Sequence, residues 1–122
     1  MELIQIKKEY YEFVREMRMH PENVAGFLTK ANITPEDQVE YMKKYGDNYF
    51  VALLYGEPVG YVGVIDNDIR ICTHPNYKGT GVGRFMLSEI VKLYPQATGR
   101  ILKDNLASRR LFDLCKVPYK LI

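Results

Sequence analysis

Three glycines at alternate positions, Gly79, Gly81 and Gly83, stand in the run HPNYKGTGVGRF (residues 74–85), with Lys78 before them and Arg84 after them. Residues of these types at this spacing suit the binding of an oxyanion. Glycine reaches positive φ and lets the backbone come close to a ligand. Where a helix follows, its first N–H groups lack internal partners and its dipole favours negative charge. Two better-known phosphate loops are excluded. The chain contains no Gly-Lys-Ser/Thr, and a dinucleotide fingerprint begun at Gly81 would need glycine where Met86 stands.

Such a loop works only if a strand delivers it and a helix receives it. DIRIC (68–72) reads as the strand, and GRFMLSEIVKLY (83–94) reads as the helix, ended by Pro95. Upstream, ELIQI alternates as a first strand, and KKEYYEFVREMRM sets Tyr10, Phe13, Val14 and Met17 at helical spacing. PENVAGFLTKA is a second, short helix or irregular segment. ITPEDQVEYMKKYG is a capped helix, with Thr34 as N-cap, Pro35 at N1, Asp37 at N3 and Gly46 as its stop. Residues 48–73 read as a run of strands broken at Gly56-Glu57-Pro58 and Asp66-Asn67. GRILK, LASRRLFDLCK and VPYKLI then give strand, helix and strand. The order predicts an α/β (α+β) domain with one central, mixed and mostly antiparallel twisted sheet flanked by helices.

A length of 122 residues, 47% hydrophobic and 26% charged, predicts a single globular domain over residues 1–122. Residues 1–73 hold 8 Lys/Arg against 12 Asp/Glu, a balance of −4, and residues 74–122 hold 9 against 3, a balance of +6. That is too little charge for a dedicated nucleic-acid binder, but it suits a half that receives a small polyanion. No apolar run approaches the roughly 20 residues of a membrane span, and the N-terminus lacks the pattern of a signal peptide. Cys72 and Cys115 show no metal-ligand spacing, so the expectation is reduced thiols, no metal and a cytoplasmic setting.

The glycine run resembles the acetyl-CoA loop of the GCN5-related N-acetyltransferases, [RQ]-x-x-G-x-[GA]. Lys78-Gly79-Thr80-Gly81-Val82-Gly83 matches it with Lys in place of Arg or Gln, after the lead-in Ile71-Cys72-Thr73-His74-Pro75-Asn76-Tyr77. Downstream, Asn105-Leu106-Ala107-Ser108-Arg109-Arg110-Leu111-Phe112 resembles the family's N-x-x-[AS]-x-x-[LF]-[YF] segment. The order of elements agrees as well, so the resemblance spans nearly the whole chain.

The resemblance implies transfer of an acetyl group from acetyl-CoA to an amine by direct attack. Lys78, Gly79, Thr80, Gly81, Val82, Gly83 and Arg84 would hold the CoA pyrophosphate. Cys72 and Thr73 would pair with the pantetheine arm, and a backbone N–H there would polarise the thioester. Asn105, with Ser108, would meet the pantetheine amides, although capping the last helix is an equal role for Asn105. Asp68 matches the place where histone-type members keep a catalytic Glu, and it is the candidate base. Glu57, Asp66 and His20 stand behind it.

The sequence departs from the family at two places. The Tyr that protonates the leaving thiolate is Phe112 here, so Tyr119, Tyr94 or a water would have to substitute. The family's C-terminal hairpin is truncated, which implies an exposed sheet edge and a homodimer or a substrate covering it.

Arg15, Arg18, Pro21, Ile33-Thr34 and Glu36 follow the order of a pattern in members that acetylate nucleotide-linked amino sugars, with Gln38 and Tyr41 at its His and aromatic places. The acidic N-terminal half suits a cationic acceptor. The expected partners are acetyl-CoA and a small amine, with an amino sugar as the acceptor this pattern suggests. A CoA-binding regulatory module and an acetyltransferase of protein lysines or N-termini stand as alternatives.

Overall fold

The computed structural model describes residues 1–28 and 32–122. Strands β1 (Glu2–Gln5), β2 (Tyr49–Leu54), β3 (Glu57–Ile65) and β4 (Asp68–Thr73) form an antiparallel sheet in that spatial order. β3 is buried without interruption from Val59 to Val64. Its side chains face apolar layers on both sides of the sheet, which explains a continuous apolar run instead of alternation. Tyr61 packs with α1 and α3 on one face, and Val62 packs with α4 on the other.

Both hairpin turns carry two residues of positive φ, Tyr55 and Gly56 at 50° and 80°, and Asp66 and Asn67 at 52° and 63°. Two-residue turns of this hand match the twist of the strands they join. The first turn lies one residue earlier than the punctuation at Gly56–Pro58 suggests, and Glu57 and Pro58 already belong to β3. Pro58 is accommodated at a register shift opposite Ala52 and Leu53.

Helix α1 (Tyr11–Met19) follows a 3-10 turn, Lys8–Tyr10, and α2 (Pro21–Val24) is a single turn. The last three residues of the segment read as PENVAGFLTKA lie outside the described residues. Helix α3 (Pro35–Tyr45) has the expected capping box: the Asp37 N–H donates to Thr34 Oγ1 at 3.0 Å, and the Thr34 N–H donates to Asp37 Oδ2 at 3.1 Å. Gly46 is not a left-handed stop. Its φ of −56° continues the coil into a 3-10 turn, Gly46–Asn48.

The second half follows the strand–helix rhythm: α4 (Val82–Leu93), β5 (Gly99–Ile101), α5 (Leu106–Leu114) and β6 (Tyr119–Leu121), with β5 and β6 parallel. Helix α5 ends in two closing bonds, Lys116 N–H to Asp113 O and Val117 N–H to Phe112 O, with Lys116 left-handed at φ 58°.

The mixed, mostly antiparallel sheet is present, and it is split between β4 and β5. One parallel bridge, Asp68–Thr98, joins the two parts, through Ile69 N–H to Thr98 O at 2.9 Å and Thr98 N–H to Asn67 O at 2.8 Å. Beyond that corner β4 and β5 are not paired.

Candidate active site

The strand-to-helix loop is built by local bonds. The His74 N–H donates to Val59 O at 2.8 Å, fixing the exit from β4. His74 Nδ1 accepts from the Asn76 N–H at 3.0 Å and caps the short 3-10 turn Pro75–Tyr77. The Thr80 hydroxyl donates to Tyr77 O. Gly79 and Gly81 then take φ of 76° and 94°, and a Cβ built on either meets no atom within 4 Å. Gly81 is the N-cap of α4 and no side chain caps that helix. The result is an uncapped helix N-terminus beside open space, which suits an oxyanion.

Gly83 serves a different purpose. A Cβ there would come 3.2 Å from Leu111 Cδ2 and 3.4 Å from Thr73 Oγ1, so its absence lets α4, α5 and the end of β4 converge. Lys78 Nζ donates to Glu22 O at 3.2 Å and ties the loop to α2, while Arg84 is exposed in the first turn of α4.

Where β4 and β5 part, a cavity of about 160 Å³ opens, walled by both strands, the start of α5, α1 and the segment after α2. Asn105 and Ser108 line it from α5. Asn105 Oδ1 accepts from the Ser108 N–H at 3.2 Å, which is the capping role. Its Nδ2 points towards Gly26, 2.9 Å from where a Cβ would stand.

Cys72 and Thr73 end β4 beside the loop. The Cys72 thiol is pushed up to about 12 by burial, against the smaller pull of Lys78 and Arg18. At neutral pH it is therefore a thiol and not a nucleophile. Tyr61 also lines the cavity, and burial raises its phenol well above the ordinary range. Next to it, the hydroxyls of Tyr41 and Tyr49 share a hydrogen bond at 2.7 Å, and Arg70 Nη1 donates to Tyr41 Oη at 3.3 Å.

The catalytic candidates separate on inspection. Asp68 lines the cavity and accepts from Arg100 through both oxygens, Nε to Oδ1 at 3.2 Å and Nη2 to Oδ2 at 3.0 Å. Arg70 Nε lies 3.5 Å from the same Oδ2. Phe112 is 1% exposed, with its ring against Gly99, and it lines the cavity. Tyr119 does not line the cavity, and its hydroxyl donates to Asp113 Oδ1 at 2.9 Å. Tyr94, Glu57 and His20 are also away from it, and His20 Nδ1 caps α2 by accepting from the Glu22 N–H. Asp66 lies at an outer hollow next to Asp68.

Sequence reasoning passed over Arg70 and Arg100, which the fold brings to the cavity with Arg18. The available signal was one cation flanked by apolar or small residues in each of two short strand patterns, Arg70 in DIRIC and Arg100 in GRILK. Among the described residues no cluster of three or more His, Cys, Asp or Glu is placed to hold a metal ion, and no helix is long and apolar enough to cross a membrane.

The sheet is thus split, and a glycine-lined, uncapped helix start stands at the opening. The chain belongs to the Acetyltransferase (GNAT) family, which it matches over residues 3–115. Comparison with curated proteins finds no match. Among solved structures, the chain is similar to a domain from Methanocaldococcus jannaschii, with TM-score 0.78, 21% identity, and coverage of 94% of this chain and 86% of that one. It is also similar to the ribosomal-protein-alanine N-acetyltransferase of Brucella melitensis, with TM-score 0.80, 16% identity, and coverage of 93% and 82%. The spermidine N-acetyltransferase of Vibrio cholerae, solved with CoA and spermine, gives TM-score 0.80, 13% identity, and coverage of 93% and 78%. At these identities the likeness is one of fold.

Proposed function

We propose that this chain transfers an acetyl group from acetyl-CoA to the amine of a small molecule. The observation that carries the reading is the uncapped, glycine-opened start of α4 beside the parting of β4 and β5. Backbone N–H groups of Val82, Gly83 and their neighbours receive the CoA pyrophosphate, with charge from Lys78 and Arg84. The pantetheine arm follows the unpaired edge of β4 at Cys72 and Thr73, and meets Asn105 Nδ2 and Ser108. The thioester then enters the cavity.

The amine nitrogen attacks the thioester carbonyl directly. An N–C bond forms, the C–S bond breaks, and the ammonium proton passes to water. A covalent relay through Cys72 is disfavoured by a thiol held near 12. The missing Tyr at Phe112 is tolerable, because a leaving thiolate of ordinary pKa, about 8.5, is stable enough near neutral pH to depart without a dedicated acid. Tyr119 is engaged elsewhere, and a buried phenol such as Tyr61 is a poor proton donor. In this reading Asp68 positions Arg70 and Arg100 and is not itself the base, since both of its oxygens already accept from guanidinium groups.

Phe112 also favours a second reading, a CoA-binding module with little turnover. Thermal denaturation with acetyl-CoA and with CoA tests what the two readings share: saturating ligand raises Tm by several degrees. No shift with millimolar ligand would overturn both. Thiol release across an amine panel then separates transferase from module.

A further inference from the structure

The cavity at the parting of β4 and β5 is charged in one direction. Three guanidinium groups line it, those of Arg18, Arg70 and Arg100, against one carboxylate, Asp68. That carboxylate is already the acceptor of a two-pronged fork from Arg100, with Arg70 3.5 Å away, so it is not available as counter-ion to an ammonium group. Among the described residues no other Asp or Glu lines the cavity; Asp66 belongs to the outer hollow beyond the fork. The acidic balance of residues 1–73 therefore does not reach the place where an acceptor amine would sit, and a polycation would meet like charge there.

From this we infer that the acceptor amine carries its own oxyanion, a carboxylate or a phosphate, which the Arg70–Arg100 side of the cavity recognises. The inference rests on the proposed acetyl transfer at the same site. Donor capacity supports it. Arg100 uses Nε and Nη2 on Asp68, which leaves its Nη1 outside that fork, whereas Arg70 is already shared among Asp68, Tyr41 and Tyr49. The Arg100 side chain is 51% exposed, so an oxyanion can reach it without passing through the protein. Asp68 holds that guanidinium in place, and a guanidinium fixed in advance loses less freedom when it binds an oxyanion.

Size agrees. About 160 Å³ is close to the volume of a cavity that accepts one benzene ring. The reacting end of the acceptor and the acetyl group fill that space, and the oxyanion rests at the mouth, where the arginines are. A charge-assisted hydrogen bond to a fixed guanidinium supplies roughly a ten-fold preference over the same amine without the anion.

The test is calorimetry on the CoA-saturated protein with matched amines: O-phosphoethanolamine against ethanolamine, β-alanine against propylamine, and spermidine as the polycation. We expect at least one anionic member to bind ten-fold or more tighter than its neutral partner, and the pair that shows it identifies phosphate or carboxylate. Arg100→Gln is expected to abolish the preference and Arg100→Lys to keep part of it, with CoA affinity as the folding control. Equal affinity within both pairs, tightest binding by spermidine, or no binding by any anionic member would overturn the inference. A CoA titration on the same sample comes first. Absent CoA binding removes the proposed function and this inference together, whereas CoA binding without the preference removes the inference alone.

Discussion

Asp68 and Arg100 meet in a parallel two-pronged fork, with N–O distances of 3.2 and 3.0 Å, at the one corner where the two sheets touch. The hydrogen bond to the carboxylate raises the pKa of the Arg100 guanidinium. Asp68→Asn removes the charge and keeps the shape. Arg100 is half exposed, so solvent screening limits the loss of stability to about 1 kcal/mol or less. If Asp68 positions the arginines, kcat/KM falls mainly through acceptor KM and its pH profile keeps its form. Disappearance of the acid limb of that profile would instead make Asp68 the base.

Burial of Cys72 gives a pH dependence of known sign. Its thiol is raised in the folded chain from about 9 to about 12, so the unfolded chain loses that proton first as pH rises. Between those values the folded state binds more protons, and stability falls with rising pH, by at most about 1.4 kcal/mol per pH unit. Urea midpoints measured from pH 8.5 to pH 10 should decline more steeply in the native chain than in Cys72→Ala. The same burial makes alkylation by iodoacetamide at pH 8 label Cys115 first.

Lys116 occupies the left-handed position that closes α5, at φ 58°. A side chain there costs about 1 kcal/mol relative to glycine. Lys116→Gly should therefore raise stability by about that amount in urea denaturation, with acetyl-CoA affinity unchanged.

Gly99 lies under the ring of Phe112, and a Cβ there would stand 2.5 Å from Cε2. Gly99→Ala forces the ring or β5 to move and should cost about 1–3 kcal/mol. Gly81→Ala is a different experiment. Its Cβ meets nothing in the free protein, so beyond a backbone strain of about 1–2 kcal/mol its main effect should be weaker CoA binding, read by calorimetry.

Local chemistry made much of this legible in advance. The Thr34–Asp37 capping box, the Asp66-Asn67 turn and the glycine run each depend on neighbours within a few residues, and the chain displays them openly. Gly46 misled because a glycine permits the left-handed stop without requiring it, and here it keeps φ at −56° and runs on into a 3-10 turn. The cavity was hidden for a different reason. Arg18, Arg70 and Arg100 lie on α1, β4 and β5, and only the tertiary fold makes them neighbours, so a balance taken along the chain pointed to a cationic acceptor where the cavity is itself cationic. Tyr119 looked available in sequence because its partner, Asp113, is set by the turn after α5.

The parting of β4 from β5 also bears on how the two halves of the molecule are held. One corner is pinned by backbone hydrogen bonds, and the facing edges beyond it have no strand between them. In the proposed reading, a ligand lying in that gap would act as a temporary strand, and the protein would complete its sheet with a molecule it later releases. Amides along the open edge of β4 should then exchange rapidly with deuterium in the free chain and slowly when cofactor is bound, and each proposed catalytic cycle would also be a cycle of assembling and dismantling the middle of the fold.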